Sequence, residues 1–147
     1  MQTFLPLPSF TRSAAVLDRQ RLGKQRVECV QILQTLLNQR TAWHNHPAVL
    51  MWAGYERALL QYTIAVLDEW NRRGYRNEKV LTMLEPVHSV LKDEPLVMPA
   101  WVGRRRFHRS HQSNLLRKNP AHYGVFGWNV PDNLEYVWSV TKDLMNG

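Results

Sequence analysis

Apolar residues recur at intervals of three and four along most of the chain, a pattern typical of α-helices that bury one face. Between Lys24 and about Gln39 this stripe comprises Val27, Val30, Leu33, Leu36 and Leu37. A shorter helical stretch is predicted from Ala14 to about Arg21, with Ser13 as its N-cap and Gly23 as an interruption before the longer stripe. The first part of the chain is therefore predicted to hold two successive helical segments.

A second stripe is longer. Pro47 suits the first position of a helix and Gly74 suits its stop, so one long helix is predicted from Pro47 to about Arg73. Its buried side would consist of Val49, Trp52, Leu59, Tyr62, Val66 and Trp70. The pattern from Glu78 to Leu91 is weaker, and it predicts one or two helical turns around Pro86.

The remaining segments divide into a third helix and irregular stretches. The helix is predicted from about Arg105 to Lys118 and is closed by Asn119-Pro120. Two prolines make residues 4–8 an extended arm, residues 95–103 have the composition of a loop, and the last aromatic residues form an ordered tail. The pattern therefore predicts an all-α fold, with a compact three-helix core, an extended N-terminal arm and an aromatic C-terminal tail, in a single domain over residues 1–147.

Composition narrows the class of protein. The chain has 147 residues, 44% hydrophobic and 21% charged, as in globular proteins. No apolar run approaches the roughly 20 residues of a membrane span, and the N-terminus lacks the basic start and apolar stretch of a secretory signal. The single cysteine, Cys29, cannot form an internal disulfide. We therefore expect a cytoplasmic protein with no membrane partner.

The net charge of +7 points to a polyanionic partner. Between Met1 and Val27 there are five basic residues and one acidic residue, and between Glu94 and Asp132 there are six basic residues and no acidic one. Aromatic and histidine side chains are interleaved with this charge. Such segments favour a face that follows nucleic-acid phosphates, although a solvated basic surface would produce the same excess.

Histidines at His44 and His46, and at His108 and His111, have spacings that can place two ligands on one metal. No paired carboxylates or cysteines complete such a site in the sequence. We therefore predict neither a metal nor a cofactor.

Four segments carry a resemblance to a known family. They are TFLP at residues 3–6, LDRQRLGKQRVE at 17–28, HPAVLMW at 46–52 and HRSHQSNLLRK at 108–118. In this order they resemble the pyrimidine-dimer DNA glycosylase family typified by phage endonuclease V, and most closely its bacterial and actinophage branch. The resemblance implies a small all-α protein that recognises cyclobutane pyrimidine dimers in duplex DNA, extrudes a base, and acts as a monomer without metal or cofactor.

The resemblance also implies a mechanism. In the family, an N-terminal α-amine cleaves the glycosidic bond, forms an imine with the sugar and nicks the abasic site by β-elimination. An α-amine has an ordinary pKa of about 7.7–8.0, so a useful fraction is neutral and nucleophilic near pH 7. Gln2 is too bulky for efficient removal of the initiator methionine, so the expected nucleophile is the amine of Met1. A competing nucleophile is Lys24, and an ordinary chain terminus without chemistry is the remaining alternative.

Glu28 aligns with the catalytic carboxylate of the family, counting from Leu22. A carboxylate there can stabilise positive charge on the sugar and move the protons of imine formation and elimination. The alternative is a surface glutamate paired with Lys24 one helical turn earlier.

DNA contacts are implied for two basic segments and for a histidine at the rim of the active site. Guanidinium groups match phosphate oxygens in geometry and charge, and the second segment is dense in hydrogen-bond donors. The residues assigned to DNA are Arg19, Arg21, Lys24, Arg26, His46, His108, Arg109, His111, Gln112, Asn114, Arg117 and Lys118. For any one of them, the alternative is an ordinary solvated side chain.

Three tail aromatics, Tyr123, Phe126 and Trp128, lie where the family prototype carries residues associated with dimer recognition. Aromatic faces suit an unstacked base, and the alternative is that these rings seal the hydrophobic core.

We therefore expect a DNA repair glycosylase with abasic-site lyase activity. Two alternatives stay open at this stage, namely a non-catalytic DNA- or RNA-binding protein on the same scaffold and a glycosylase for another modified base.

Overall fold

The computed structural model describes residues 1–40 and 43–138, and within these all regular secondary structure is helical. A single 3₁₀ turn over Gly124–Phe126 follows the last α-helix. The α-helices are α1 (Phe10–Val16), α2 (Arg19–Leu36), α3 (Pro47–Leu50), α4 (Glu56–Arg72), α5 (Glu78–Leu91), α6 (Arg105–Lys118) and α7 (Pro120–Tyr123). The prediction of an all-α fold is confirmed.

The break between the first two helices lies earlier than the sequence predicted. Ser9, not Ser13, caps α1, because its side chain accepts a hydrogen bond from the Arg12 N–H. Gly23 does not interrupt α2, which runs through it without a break. The glycine instead permits close packing, since a Cβ at this position would lie 3.2 Å from a ring carbon of Trp70.

The prediction of one long helix from Pro47 to Arg73 is wrong, because this segment forms two helices. Pro47 does begin a helix, but α3 ends at Leu50 and α4 starts only at Glu56. The turn between them contains Gly54 with a φ of +85°, a left-handed conformation that glycine adopts without strain.

The segment from Glu78 to Leu91 is also more regular than expected. It forms a complete 14-residue helix, α5, with Pro86 inside it. Pro86 is exposed, while the opposite side of the helix buries Val80, Leu84, Val87 and Leu91 in the core. Tertiary packing of this apolar side therefore outweighs the disruptive proline.

The core lies between α2 and α4, with α1 and α5 packed against them. Trp52 is fully buried, as predicted, whereas Trp70 is half-buried against Gly23. The N-terminal arm is part of this core, because Thr3 and Leu5 have no exposed surface. Within the described residues, no helix is long and apolar enough to cross a membrane.

Candidate active site

A glutamine on α2 fixes the first residues of the chain. Gln25 is buried, and its side-chain amide donates to the carbonyl oxygen of Gln2 at 2.8 Å and accepts from the N–H of Phe4 at 2.7 Å. These two hydrogen bonds resemble those between neighbouring β-strands. They give the Gln2 carbonyl and the Phe4 N–H hydrogen-bond partners inside the protein.

Two aromatic side chains hold the arm from the α3 and α4 side. The Trp52 indole N–H donates to Thr3 Oγ1 at 3.0 Å, and the Tyr62 hydroxyl donates to the carbonyl oxygen of Phe4. Burial raises the pKa of Tyr62 well above its ordinary value, which keeps this hydroxyl a donor. The arm is therefore anchored from two directions before it reaches α2.

The anchored arm brings the start of the chain against Glu28. The N–H of Gln2 donates to Glu28 Oε2 at 3.2 Å, and the Glu28 side chain is 20% exposed. Both border a cleft of about 260 Å³ whose lining residues are Met1, Gln2, Phe4, Gln20, Arg21, Lys24, Gln25, Glu28, Lys118 and Tyr136. The N-terminal residue and the predicted carboxylate therefore share one cleft.

A family model described as pyrimidine dimer DNA glycosylase matches residues 1–83. The chain belongs to the pyrimidine dimer DNA glycosylase family. The matched part includes the arm, α2, α3 and α4, and thus Met1, Gln25 and Glu28. No curated protein and no solved structure matched the chain.

The cleft is strongly cationic. Arg21, Lys24 and Lys118 line it together with a single carboxylate, that of Glu28. Lys24 Nζ lies 4.0 Å from Glu28 Oε1 but its side chain is 72% exposed, so it has the surroundings of an ordinary surface lysine. Arg21 is fixed by Asp18 at 2.8 Å. Such a cleft can hold an anionic substrate around one acid–base group.

His46 lies close enough to this site to be affected by its charges. Burial lowers the pKa of His46, the N-terminal amine lowers it further, and Glu28 acts in the opposite direction. Its ring is half-buried, and Nδ1 accepts a hydrogen bond from the Ala48 N–H at 3.0 Å as the N-cap of α3. Of the histidines assigned to DNA, it is the one whose pKa responds to the charges of the site, although it is not among the residues that line the cleft.

The other two histidines are inside the protein, where they hold the arm. His108 is 5% exposed and His111 has no exposed surface. His111 Nδ1 accepts from the Leu5 N–H at 2.9 Å, and the N–H at His108 Nδ1 donates to the Leu5 carbonyl oxygen at 2.7 Å. Burial, with a smaller effect of His108, lowers the pKa of His111 to about 3. Both rings are therefore neutral structural anchors of the arm and are buried in this conformation.

Most remaining polar side chains of α6 bind the arm or the tail. Gln112 donates to the Pro6 carbonyl oxygen at 2.8 Å, and Asn114 donates to that of Leu134 at 3.0 Å. Arg109 and Arg117 donate to tail carbonyl oxygens of Asn129 and Asp132, at 2.9 and 2.8 Å. The two arginines keep exposed surface and can also meet phosphates, whereas Asn114 is buried.

Tyr136, in the C-terminal tail that follows α7, lies at the cleft and was not predicted from the sequence. Its ring lines the cleft and lies 6.5 Å from the ring of Phe4. Burial raises the pKa of Tyr136 to about 12, against the lowering effects of Arg117 and Arg21. The sequence signal was an aromatic pair, Tyr136 and Trp138, with nothing in the pattern to show where the tail runs.

The three aromatics predicted to contact the lesion do not line this cleft. Tyr123 has no exposed surface, and its hydroxyl donates to Asp18 Oδ1 at 2.7 Å and accepts from the Asp18 N–H at 2.9 Å. Trp128 stacks on Tyr123 with ring centroids 5.8 Å apart, and Phe126 is 39% exposed. They form a hydrophobic cluster at the end of α7 instead.

The far side of Glu28 faces an open groove of about 560 Å³ between α2 and Trp70. Arg19 lines it, and the Arg26 guanidinium lies 4.2 Å from the centre of the Trp70 ring. Arg26 also donates to Asn77 Oδ1 at 3.1 Å. α2 therefore presents cations on both sides of the carboxylate.

Across residues 1–40 and 43–138, no group of three or more histidine, cysteine, aspartate or glutamate side chains is arranged to hold a metal ion.

Proposed function

We propose that this protein is a DNA glycosylase and abasic-site lyase that acts as a monomer on pyrimidine dimers in duplex DNA. The nucleophile is the α-amine of Met1 and the acid–base group is Glu28. The observation that carries the proposal is the buried arm, which Gln25 fixes so that the N–H of Gln2 contacts Glu28 at the edge of a cationic cleft. An anchored terminus of this kind is preorganised for attack on a substrate held in the cleft.

The reaction can be written with Met1, Glu28 and solvent. The neutral amine attacks C1′ of the deoxyribose, the glycosidic bond breaks, and the departing base carries away the electron pair and is protonated by solvent. The amine passes one proton to the Glu28 carboxylate. The nitrogen lone pair then opens the C1′–O4′ bond to form the iminium, and O4′ takes the proton from Glu28. The Glu28 carboxylate, deprotonated again, removes a C2′ proton, and the 3′ phosphate leaves with the electron pair of the C3′–O bond, which completes β-elimination. Water then hydrolyses the imine and releases the amine.

The distribution of cations suits a duplex. Arg21, Lys24 and Lys118 in the cleft would hold phosphates beside the reacting sugar, while Arg19 and Arg26 would extend that contact along α2. Arginine and lysine contacts of this type position the duplex and carry no sequence information.

The surroundings favour Met1 over Lys24 as the nucleophile. Lys24 is mostly exposed, and its ammonium faces a carboxylate at 4.0 Å, a setting that does not activate an amine. Met1 is half-buried in the cleft and carries the amine.

Borohydride trapping tests the proposal, because reduction fixes an imine as a covalent adduct. Duplexes that contain a cyclobutane dimer, a plain abasic site or no lesion would be compared. The protein with its native start should give an adduct with the first two, and peptide mapping should place the sugar remnant on Met1. The same protein with a short N-terminal extension should bind DNA but give no adduct, since an amide nitrogen has no basic lone pair.

A Lys24→Ala variant is the second arm of the test. It loses one phosphate contact and should bind DNA more weakly, but at saturating protein it should still give an adduct that maps to Met1. An adduct formed by the extended protein and lost in Lys24→Ala would reject Met1 as the nucleophile. Binding without any adduct would favour the non-catalytic alternative, and trapping on the abasic duplex but not on the dimer would favour a different base substrate.

A further inference from the structure

Asp18 occupies the N-cap position of α2, but its side chain does not cap the helix. An aspartate at this position usually accepts a hydrogen bond from an N–H of the first helical turn. The Asp18 carboxylate instead accepts from Arg21 Nη1 at 2.8 Å and from the Tyr123 hydroxyl at 2.7 Å. Asn119 Nδ2 is a third donor at 3.3 Å. The carboxylate therefore binds the side chain of Arg21 in place of the helix backbone.

The partners of Asp18 behind the cleft hold it in place. Asp18 is 8% exposed, and the fully buried Tyr123 hydroxyl also accepts from its backbone N–H at 2.9 Å. The Tyr123 ring is stacked on Trp128. Asn119 is itself fixed as the N-cap of α7. Asp18 is therefore bound through both its backbone and its side chain, and it presents a rigid acceptor to Arg21.

Arg21 differs from Lys24 and Lys118, the other two cations of the cleft. Its side chain is 20% exposed, whereas that of Lys24 is 72% exposed and Lys118 is also exposed. Within residues 1–40 and 43–138, its guanidinium forms a hydrogen bond only through Nη1, to Asp18. Nε and Nη2 form the other edge of the guanidinium, and two parallel N–H groups of this kind match two oxygens of a phosphate.

We propose that Asp18 is a positioning residue, which orients Arg21 so that the Nε and Nη2 edge meets a phosphate beside the reacting sugar. This role rests on the proposed function. The exposed lysines can follow a phosphate through many conformations and so contribute affinity, whereas an oriented arginine fixes the sugar relative to Met1 and Glu28. A carboxylate beside the cleft opposes the attraction of DNA, so the benefit of Asp18 lies in geometry.

Asp18→Asn separates geometry from charge. The oxygen that accepts from Tyr123 is kept, and asparagine suits an N-cap as well as aspartate does. The atom that accepts from Arg21 becomes an amide nitrogen, which only donates. Because a negative charge is removed, the Kd for a preformed abasic duplex should not rise. Single-turnover borohydride trapping at saturating protein should still slow by about tenfold to a hundredfold, as expected for a misplaced substrate.

Asp68→Asn is the matched control, because it adds the same charge at an exposed carboxylate on α4 outside the cleft. It should trap at the wild-type rate. A double-mutant cycle then shows whether the effect of Asp18 passes through Arg21. Arg21→Ala should slow trapping, and Asp18→Asn should add no further loss in that background. Wild-type trapping by Asp18→Asn, or a second full loss in the Arg21→Ala background, would overturn the positioning role.

Nitrogen-15 NMR of the arginine side chains gives a readout that needs no DNA. In the free wild-type protein, the Arg21 guanidinium should rotate slowly and show separate Nη signals, and in Asp18→Asn these signals should average. Equal mobility in the two proteins would also overturn the role of Asp18. A wild-type protein that forms no adduct with any duplex would instead refute the proposed function, and the NMR comparison would still decide whether Asp18 orients Arg21.

Discussion

At the scale of single residues, the candidate site depends on two side chains three positions apart on α2. Gln25 binds the arm at the Gln2 carbonyl and the Phe4 N–H, and Glu28 accepts the Gln2 N–H from the next turn. Three-residue spacing places both on one helical face. The amide therefore positions the chain terminus and leaves the carboxylate partly open to the cleft.

Replacing Glu28 with glutamine separates its chemistry from its structural contact. An amide oxygen can still accept the Gln2 N–H, so folding and the Kd for duplex DNA should change little. Strand cleavage should fall by about two or more orders of magnitude, because the amide neither accepts nor returns a proton. Single-turnover cleavage, duplex binding and the Tm would be measured together.

The control is Glu85→Gln, at an exposed carboxylate on α5 outside the cleft. Wild-type cleavage by Glu28→Gln would reduce Glu28 to a surface partner of Lys24.

At the scale of elements, periodicity was enough to locate the main helices but not to place the irregular segments. The start of α3 at Pro47 and the whole of α6 follow from proline position and apolar spacing. The break at Gly54 did not, because a left-handed turn depends on one backbone angle inside an otherwise helical pattern. The burial of His108 and His111 could not be predicted from periodicity either, because their partners are backbone groups of Leu5, more than 100 residues away. The prediction that Met1 and Glu28 share one site relied on family resemblance. Tyr136 could not be predicted, because the sequence does not show that the tail returns to the cleft.

One long-range contact joins α7 to the start of α2. The buried Tyr123 hydroxyl accepts from the N–H of Asp18 and donates to its carboxylate. Tyr123→Phe therefore leaves the Asp18 N–H without this partner and takes one hydrogen bond from the carboxylate, which keeps those of Arg21 and Asn119. We expect a loss of about 1–3 kcal/mol in the free energy of unfolding at pH 7, measured by urea denaturation.

This loss should depend on pH with a definite sign. Burial alone would raise the pKa of Asp18, but hydrogen bonds from Tyr123 and Asn119 and the charge of Arg21 outweigh it and lower that pKa overall. A lowered carboxyl pKa contributes stability above the unfolded value of about 3.9, and this contribution disappears as pH falls through the folded value. The difference between wild type and Tyr123→Phe should therefore shrink below about pH 4. A difference that grows in acid would contradict this account of Asp18.

At the scale of the whole molecule, charge is unevenly distributed. Residues 56–94, which include α4 and α5, hold seven of the twelve acidic residues and six of the nineteen basic ones. The excess of +7 therefore comes from the rest of the chain, chiefly from α2 and α6, which also supply the three cations of the cleft. A polyanion would be attracted to the side of the protein where the amine and Glu28 lie.

This distribution predicts how duplex binding responds to salt. The logarithm of the affinity for undamaged duplex should fall linearly with the logarithm of salt concentration, with a slope of about −0.9 for each phosphate neutralised. Lys118→Glu, in the cleft, should weaken binding and make the slope shallower by about one, because at least one phosphate contact is lost. Lys92→Glu changes the net charge equally at an exposed lysine outside the cleft, and it should have a much smaller effect. Fluorescence anisotropy over a salt series measures both. Equal effects of the two variants would mean that DNA affinity depends on the net charge alone. Binding that does not change with salt would contradict the assignment of the cationic cleft as the DNA-binding surface.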